Sequence, residues 1–168
     1  LVSTMPLAYR GYDLYIKMLD KIKFGKEDTL YILGDCVDRG DEGLKIVLDI
    51  AKRYNIIGLM GNHDFLALSI LSNLDRGFKP GQLEDVKYLI DMWKMDGGMS
   101  TYNEYKKLSP EERNLALMTI DGFRNYAEVK IGEREFLDCV LSNMSWKCIG
   151  LKITHRYSMI KHVMDEVH

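Results

Sequence analysis

The sequence lacks the features that mark several specialised classes of protein. None of its apolar runs approaches the roughly 20 residues that a membrane-spanning helix needs, so we expect no membrane partner. Its formal net charge is −2, which gives neither the basic stripe of a dedicated nucleic-acid-binding protein nor an acidic tail. The first residues also lack a charged segment followed by an apolar one, so export is not indicated.

Cysteine is scarce as well. The three cysteines, Cys36, Cys139 and Cys148, are an odd number with no spacing typical of metal ligands. We interpret them as reduced thiols and expect a cytoplasmic protein. The rest is ordinary for a globular protein: 168 residues, 46% hydrophobic and 29% charged, are enough for one domain with a sizeable core.

Apolar runs and helical periodicities alternate along the first half of the chain. The pattern predicts a helix over 12–24, a buried strand over 29–33, a helix over 41–54, a second buried strand over 55–60 and a helix over 65–74. Strands that alternate with helices are typical of parallel βαβ units. Because such sheets carry their ligands at the carboxyl ends of the strands, we expect a site where these two strands end.

The middle of the chain predicts a helical insertion at about 75–118. Apolar residues recur at helical spacing over 83–95. A further helix is predicted to open at Ser109, with Pro110 at its first position and Glu112 completing a capping box.

The last part of the chain is less regular. Segments 124–131 and 135–140 predict a β-hairpin, whereas 142–168 is an atypical tail with a weak helical run over 157–167. We interpret residues 1–168 as a single domain that includes the helical insertion and this tail.

Polar side chains follow each of the two predicted strands. The first loop, 34–40, reads GDCVDRG, and the second, 61–64, reads GNHD. Asp35, Asn62 and a histidine nitrogen are hard to borderline ligands that suit Mn, Fe or Zn. Two metal ions held there can clamp a phosphoryl oxygen and activate water.

The same loops carry groups for binding and proton transfer. The planar fork of Arg39 can hold two phosphate oxygens. His63 can protonate a leaving alkoxide, and Asp38 can orient that histidine and raise its pKa.

Each of these residues also has a simpler interpretation. Asp35 and Asp38 can cap the helix predicted to start near Asp41. His63 can be a structural histidine, and Arg39 can form a surface ion pair with a neighbouring acid. The complementary residue types on two neighbouring strand ends favour the functional interpretation.

The two loops together resemble a known family. GDCVDRG resembles the GD-x-x-DRG signature of the calcineurin-like metallophosphoesterases, in particular their phosphoprotein-phosphatase branch, and GNHD resembles their GNH-D/E signature. The stretch 11–71 is similar to bacterial serine/threonine phosphatases and to symmetrical diadenosine-tetraphosphate hydrolases. The resemblance implies an α/β (α+β) fold, a β-sandwich flanked by helices, which this sequence leaves incomplete at both ends.

The resemblance also implies a role for each loop residue. Asp35 would bridge two metal ions, and Asn62 would bind the second of them. His63 would be the general acid, paired with Asp38, and Arg39 would contact the substrate phosphate. The implied cofactors are two divalent metal ions, manganese first, with iron or zinc as alternatives.

The ends of the chain depart from the family pattern. The D-x-H-G motif expected after the first strand is replaced by Ala-Tyr-Arg-Gly at 8–11, and no histidine occurs in 136–142, where the family places one. His155 is a candidate for the last family histidine. So few ligands predict weak metal occupancy. The start at Leu1 and these departures are compatible with a truncated or frame-shifted copy and with a pseudophosphatase.

Three functions therefore stay open. The first is a metal-dependent phosphoesterase, similar to serine/threonine protein phosphatases, that hydrolyses phosphate monoesters with metal-activated water. The second is a symmetrical dinucleoside-tetraphosphate hydrolase, so the expected partner is a phosphorylated protein or a nucleotide substrate. The third is a degenerate, non-catalytic phosphate-binding protein or a truncated homologue.

Overall fold

The computed structural model describes residues 2–3, 11–77 and 83–124. Strands and helices alternate in its first half, as βαβ units require. In chain order the elements are β1 (Val2–Ser3), α1 (Gly11–Lys21), β2 (Leu30–Ile32), α2 (Gly43–Ile50), β3 (Ile56–Gly58), α3 (Asn62–Arg76), α4 (Leu83–Trp93), α5 (Met99–Tyr105) and α6 (Pro110–Asp121).

The strands form one parallel sheet in the order β1-β2-β3. Tyr31 of β2 pairs with Val2 on one side and with Ile57 on the other. The predicted parallel arrangement is thus confirmed, and the loops after β2 and β3 leave the sheet at the same edge. The described residues contain this single sheet, so the α/β class is confirmed while the two-sheet sandwich stays a prediction.

Apolar side chains from the sheet and from all six helices form the core of the described residues. Helices α2 and α3 each pack against α6, and α1 packs against α2. The largest aliphatic and thioether side chains that are fully buried are Met18, Leu30, Ile32, Leu44, Ile46, Leu59, Leu71 and Ile120. Removing such side chains from water is the main favourable contribution to folding, and here it fixes the strand ends that carry the polar loops.

Helix α3 begins earlier than the predicted segment 65–74, because two carboxylates bind the backbone at its start. The carboxylate of Asp64 accepts the backbone N–H of Gly61 at 3.0 Å. The carboxylate of Asp35, from the other loop, accepts the N–H of His63 at 3.2 Å. N–H groups of a first helical turn have no partner within the helix, so these contacts extend the helix to the end of the second polar loop.

Helix α2 is capped by a distant side chain. The carboxylate of Glu104 accepts the N–H groups of Leu44 at 2.9 Å and Lys45 at 2.8 Å. The interpretation of Asp35 and Asp38 as caps of this helix is therefore wrong. Their carboxylates contact residues of α3, α4 and α5 instead.

A wide helical turn, Lys94–Gly98, joins α4 to α5. It begins close to the end of the helix that the sequence predicts over 83–95. Gly97 has a φ of 104°, a conformation that favours glycine. A Cβ atom on Gly98 would lie 2.2 Å from the ring of Trp93, so only glycine lets the turn pack this closely against the indole. Gly98 thus lets the turn pack against Trp93, and Gly97 adopts the backbone conformation that the turn requires.

The predicted start of α6 is confirmed in detail. The hydroxyl of Ser109 accepts the N–H of Glu112 at 3.2 Å, and the carboxylate of Glu112 accepts the N–H of Ser109 at 2.9 Å. This is the reciprocal capping box that the sequence indicates. The single-domain organisation, and the status of 75–118 as an insertion, stay predictions.

Beyond α6 the structure describes Arg124, which forms a parallel bridge with Leu59 at the edge of the sheet. The rest of the predicted hairpin over 124–131 and 135–140, and the tail over 142–168, lie outside the described residues.

Two sequence-based expectations concern the cysteines and the membrane. Cys36 is a buried free thiol, and burial raises its pKa well above the usual value. None of the helices within 11–77 and 83–124 is long and apolar enough to cross a lipid bilayer. The cytoplasmic location stays a prediction.

Candidate active site

The two polar loops lie against each other at the edge of the sheet, as the sequence predicts. Besides the contact between His63 N–H and Asp35, the backbone of Gly61 approaches Asp35 so closely that no side chain fits. A Cβ atom on Gly61 would lie 2.3 Å from the Asp35 Oδ1 and 2.4 Å from the Asp35 amide nitrogen. Glycine at this position therefore lets the two loops meet.

The carboxylate of Asp64 connects the two loops through hydrogen bonds to their backbone. It is fully buried and accepts the N–H groups of Asp35 at 2.7 Å, Cys36 at 2.9 Å and Gly61 at 3.0 Å. Burial raises the pKa of Asp64 to about 7, while the donated hydrogen bonds act in the opposite direction. One side chain thus satisfies donors from both loops and fixes their separation.

Asp38 and His63 form a buried pair. The Asp38 Oδ2 lies 2.9 Å from the His63 Nδ1, and the Asp38 side chain is inaccessible to solvent. This hydrogen bond is the largest cause of the raised pKa of His63, with burial acting to lower the pKa and the charge of Asp35 acting to raise it. The predicted pairing of the two residues is confirmed, although the roles assigned to them stay predictions.

Two further side chains hold Asp38 in place. Trp93 Nε1 donates to the Asp38 Oδ2 at 2.8 Å, and Thr101 Oγ1 donates to the Oδ1 at 2.7 Å. The N–H of Asp38 in turn donates to Thr101 Oγ1 at 2.8 Å, in a backbone with a φ of 70°. Both carboxylate oxygens of the buried Asp38 thus take part in hydrogen bonds, as buried polar groups usually do. These contacts fix the position of the carboxylate relative to His63.

Sequence reasoning missed these supporting residues. Trp93 lies within the apolar periodicity of 83–95, which indicates only a buried helix face, and Thr101 belongs to none of the recognised motifs. The available signal was the glycine pair at 97–98, which interrupts a helical pattern and therefore indicates a turn with a packing or functional purpose.

Arg39 contacts an acid that sequence reasoning also missed. Its Nη2 lies 2.5 Å from the Oδ1 of Asp96, and its Nε donates to the Asp96 backbone oxygen at 3.1 Å. The other carboxylate oxygen of Asp96 lies 3.8 Å from the His63 Nε2. The ion pair that was the simpler interpretation of Arg39 is therefore present, and it lies beside His63, the candidate general acid.

With this geometry in view, comparison with known proteins identifies the family. A sequence model for "Calcineurin-like phosphoesterase" matches residues 8–150. The chain belongs to the calcineurin-like phosphoesterase family. The resemblance carried by the two loops is thus confirmed.

Several curated proteins that share one name are similar to parts of this chain. A protein from Delftia acidovorans named "Bis(5'-nucleosyl)-tetraphosphatase, symmetrical" is 34% identical over 77 residues, which cover 45% of this chain and 27% of the relative. Proteins of the same name from Pseudomonas putida and Xanthomonas axonopodis pv. citri are each 31% identical, over 41% and 65% of this chain. The chain spans 27%, 25% and 35% of the lengths of these three relatives.

Calcineurin-like phosphoesterases use divalent metal ions, and the described residues fit such an ion by donor type. Asp35 presents a carboxylate and Asn62 an exposed amide at the same loop junction. Within 11–77 and 83–124, no three His, Cys, Asp or Glu side chains gather in a position to hold a metal ion. The other family positions, at 8–10, 136–142 and His155, lie outside the described residues.

The pKa of His63 should depend on Asp38. We expect Asp38→Asn to lower the pKa of His63, because the variant loses both the strongest hydrogen bond and the negative charge beside Nδ1. A ¹H–¹⁵N NMR titration of the imidazole in wild-type protein and variant measures the change directly. A pKa that does not fall would show that the pair has no electrostatic effect on the ring.

The same pair predicts a pH dependence of stability. The pKa of His63 is raised in the folded state above the usual histidine value of about 6.5, so its stabilising contribution is fully present below about pH 6.5 and is lost as the pH rises through the folded-state pKa. The difference in free energy of unfolding between wild type and Asp38→Asn should therefore be larger at about pH 5.5 than at about pH 9. Urea unfolding at the two pH values checks the sign.

Proposed function

We propose that this chain carries the reaction site of a phosphoric ester hydrolase and that His63 is its general acid. The observation that carries the proposal is the buried Asp38–His63 pair, with Trp93 and Thr101 holding the carboxylate. A histidine that serves only to fill the core does not require a buried charge, and burying one without compensation is costly. The charge is best explained by a need to orient the ring and to keep it protonated.

The geometry indicates which atom would transfer the proton. Nδ1 is held by Asp38 at 2.9 Å, so Nε2 is the nitrogen available to a leaving oxygen. The hydrogen bond from Asp38 raises the pKa of His63 and so favours the protonated ring, which is the state that a general acid needs. Arg39 contacts one oxygen of the Asp96 carboxylate, and the other oxygen lies 3.8 Å from the His63 Nε2. Arg39 is therefore near the ring and is the proposed contact for a substrate phosphate.

Asp35 and Asn62 are the described residues that would hold a divalent ion, through a carboxylate and an amide oxygen. When bound, such an ion supplies Lewis-acid polarisation of a phosphoryl oxygen. Manganese is the first candidate, with iron or zinc as alternatives. Asp64 contributes indirectly, because its three backbone contacts set where the Asp35 carboxylate lies relative to the start of α3.

The proposed substrate is a dinucleoside tetraphosphate, cleaved by water into two nucleoside diphosphates. This choice reverses the order of the sequence-based hypotheses, which placed phosphoprotein monoesters first. It is supported by the curated relatives, whose name describes the symmetrical cleavage of such nucleotides. Phosphate monoesters are the second candidate, because the same acid and the same phosphate contact serve either leaving group.

Product analysis tests the proposed substrate. Purified protein with Mn²⁺ is incubated with diadenosine tetraphosphate and, separately, with a phosphoserine peptide, and the products are separated by ion-exchange chromatography. We expect ADP alone from the nucleotide, at a rate above that of phosphate release from the peptide. Formation of ATP and AMP, or release of phosphate from the peptide only, would overturn this choice of substrate.

A non-catalytic phosphate-binding protein is the second candidate function. It is favoured by one observation, namely that the described residues gather no set of three metal-binding side chains. This alternative predicts binding of phosphate that does not change on addition of a chelator, in a protein with no hydrolytic activity. Binding that a chelator abolishes would contradict it.

A further inference from the structure

The wide turn between α4 and α5 places an acidic side chain where the proposed function needs a phosphate. The carboxylate of Asp96 touches Arg39 Nη2 with one oxygen and lies 3.8 Å from the His63 Nε2 with the other. The proposed mechanism assigns both groups to the substrate, with Arg39 at a phosphate and His63 at the leaving oxygen, which is itself bonded to phosphorus. Asp96 thus spans them in the way that two oxygens of a phosphate would.

We propose that Asp96 is an affinity-determining residue whose carboxylate competes with phosphate for Arg39 and His63. The proposal rests on the proposed function only in taking these two side chains as the phosphate contacts. A carboxylate and a phosphate oxygen are equivalent partners for a guanidinium, and both are negatively charged, so they cannot occupy the same position. A phosphate that reaches both groups must therefore displace Asp96.

The surroundings of the pair allow this exchange. The side chains of Arg39 and Asp96 are 37% and 57% exposed, and exposed ion pairs contribute little to stability. The backbone, by contrast, is fixed: Arg39 N–H donates to the Gly97 oxygen at 3.1 Å, and a Cβ atom on Gly97 would lie 2.4 Å from the Arg39 Cγ. The carboxylate can rotate away while the turn stays packed against Arg39.

The backbone also keeps Arg39 in place after such an exchange. Its Nε donates to the backbone oxygen of Asp96 at 3.1 Å, a contact that does not involve the Asp96 side chain. Rotation of the carboxylate would thus release Nη2 for a phosphate oxygen without loss of the guanidinium's orientation. Negative charge at Asp96 would in addition repel an incoming anion, so its removal should strengthen phosphate binding for two reasons.

The test measures binding of inorganic phosphate to the whole chain by isothermal titration calorimetry, at low salt and in the presence of EDTA. The variant is Asp96→Asn, which keeps the size of the side chain and removes its charge. Asp91→Asn on the exposed side of α4 is the matched control, since it makes the same change of charge away from Arg39. We expect Asp96→Asn to bind phosphate about five- to tenfold more tightly than wild type, and Asp91→Asn to bind like wild type.

A double variant locates the effect. Asp96→Asn with Arg39→Gln should lose the gain in affinity, because the guanidinium that receives the phosphate is gone. Unchanged or weaker binding in Asp96→Asn, absence of binding in that variant, or an equal gain in Asp91→Asn would each overturn the proposal. Thermal unfolding of each variant confirms that it is folded before binding is measured.

The outcome is independent of the test of the proposed function, which measures hydrolysis of diadenosine tetraphosphate. Tighter phosphate binding by Asp96→Asn without hydrolysis by wild type would support the role of Asp96 and reject the enzyme activity. Hydrolysis by wild type with unchanged phosphate binding in Asp96→Asn would support the enzyme activity and reject the role of Asp96.

Discussion

His63→Asn is expected to lower kcat/KM for an alkyl phosphate by about 10²- to 10⁴-fold, the usual contribution of a general acid. The same variant should lower kcat/KM for p-nitrophenyl phosphate far less. An alkoxide leaves slowly unless it receives a proton, whereas nitrophenolate is stable as an anion. Asparagine can still donate a hydrogen bond to Asp38, so the buried carboxylate keeps a partner.

The comparison of two leaving groups separates proton transfer from a structural role. Both substrates are measured at saturating Mn²⁺ with wild type, His63→Asn and Lys87→Asn, an exposed position on α4 that serves as the control. If His63 only supported the fold or the metal site, both substrates would lose activity by the same factor. Such a parallel loss would contradict the assignment of His63 as the acid.

Asp64→Ala is expected to cause the largest loss of stability among single changes at the site. It removes the acceptor of three backbone N–H groups, from Asp35, Cys36 and Gly61, and leaves those donors without it. Each buried donor that loses its partner costs about 1–3 kcal/mol, so the free energy of unfolding should fall by about 3 kcal/mol or more. Urea unfolding monitored by circular dichroism measures the change.

Two further variants define the cause of this loss. Asp20→Ala, an exposed aspartate on α1, should change the free energy of unfolding by no more than about 0.5 kcal/mol. Asp64→Asn keeps one oxygen acceptor but presents an amide to the remaining donors, so it should lie between wild type and Asp64→Ala. A loss below about 1 kcal/mol in Asp64→Ala would mean that the loops hold their positions without this carboxylate.

The parts of the site that the sequence predicts are those that follow from local pattern. Two apolar runs, each followed by glycine and polar residues, indicate buried parallel strands, and parallel strands bring their carboxyl ends to one edge. This geometric rule brings Asp35 next to His63, although 28 positions separate them in the chain. The capping box of α6 is predicted for the same reason, because it depends on four consecutive residues.

The parts that the sequence does not predict depend on contacts between distant elements. Trp93 and Thr101 reach Asp38 across 55 and 63 positions, through a turn whose shape depends on two glycines. The starts of α2 and α3 are likewise determined by carboxylates from elsewhere, Glu104 and Asp35. Helical periodicity reports which face of a helix is buried, but not which polar group on that face meets a partner.

Asp38 shows why these distant contacts matter for the proposed chemistry. A buried carboxylate shared by a histidine, an indole and a hydroxyl has a defined position, and each donor limits where the others can lie. The histidine ring is thereby oriented before a substrate binds. Preorganisation of this kind is how a site directs a proton to one atom of a leaving group.

The central claim is that the two loops form a working hydrolytic site, and metal-dependent turnover of p-nitrophenyl phosphate by the purified chain tests it most directly. The measurement compares wild type, Asp35→Asn and Asp38→Asn, each with Mn²⁺ and with EDTA. We predict turnover that requires Mn²⁺, that is lost in Asp35→Asn and that changes little in Asp38→Asn, because nitrophenolate leaves without a proton from His63. Absence of turnover in a wild-type protein that unfolds cooperatively, or turnover that survives Asp35→Asn, would contradict the claim.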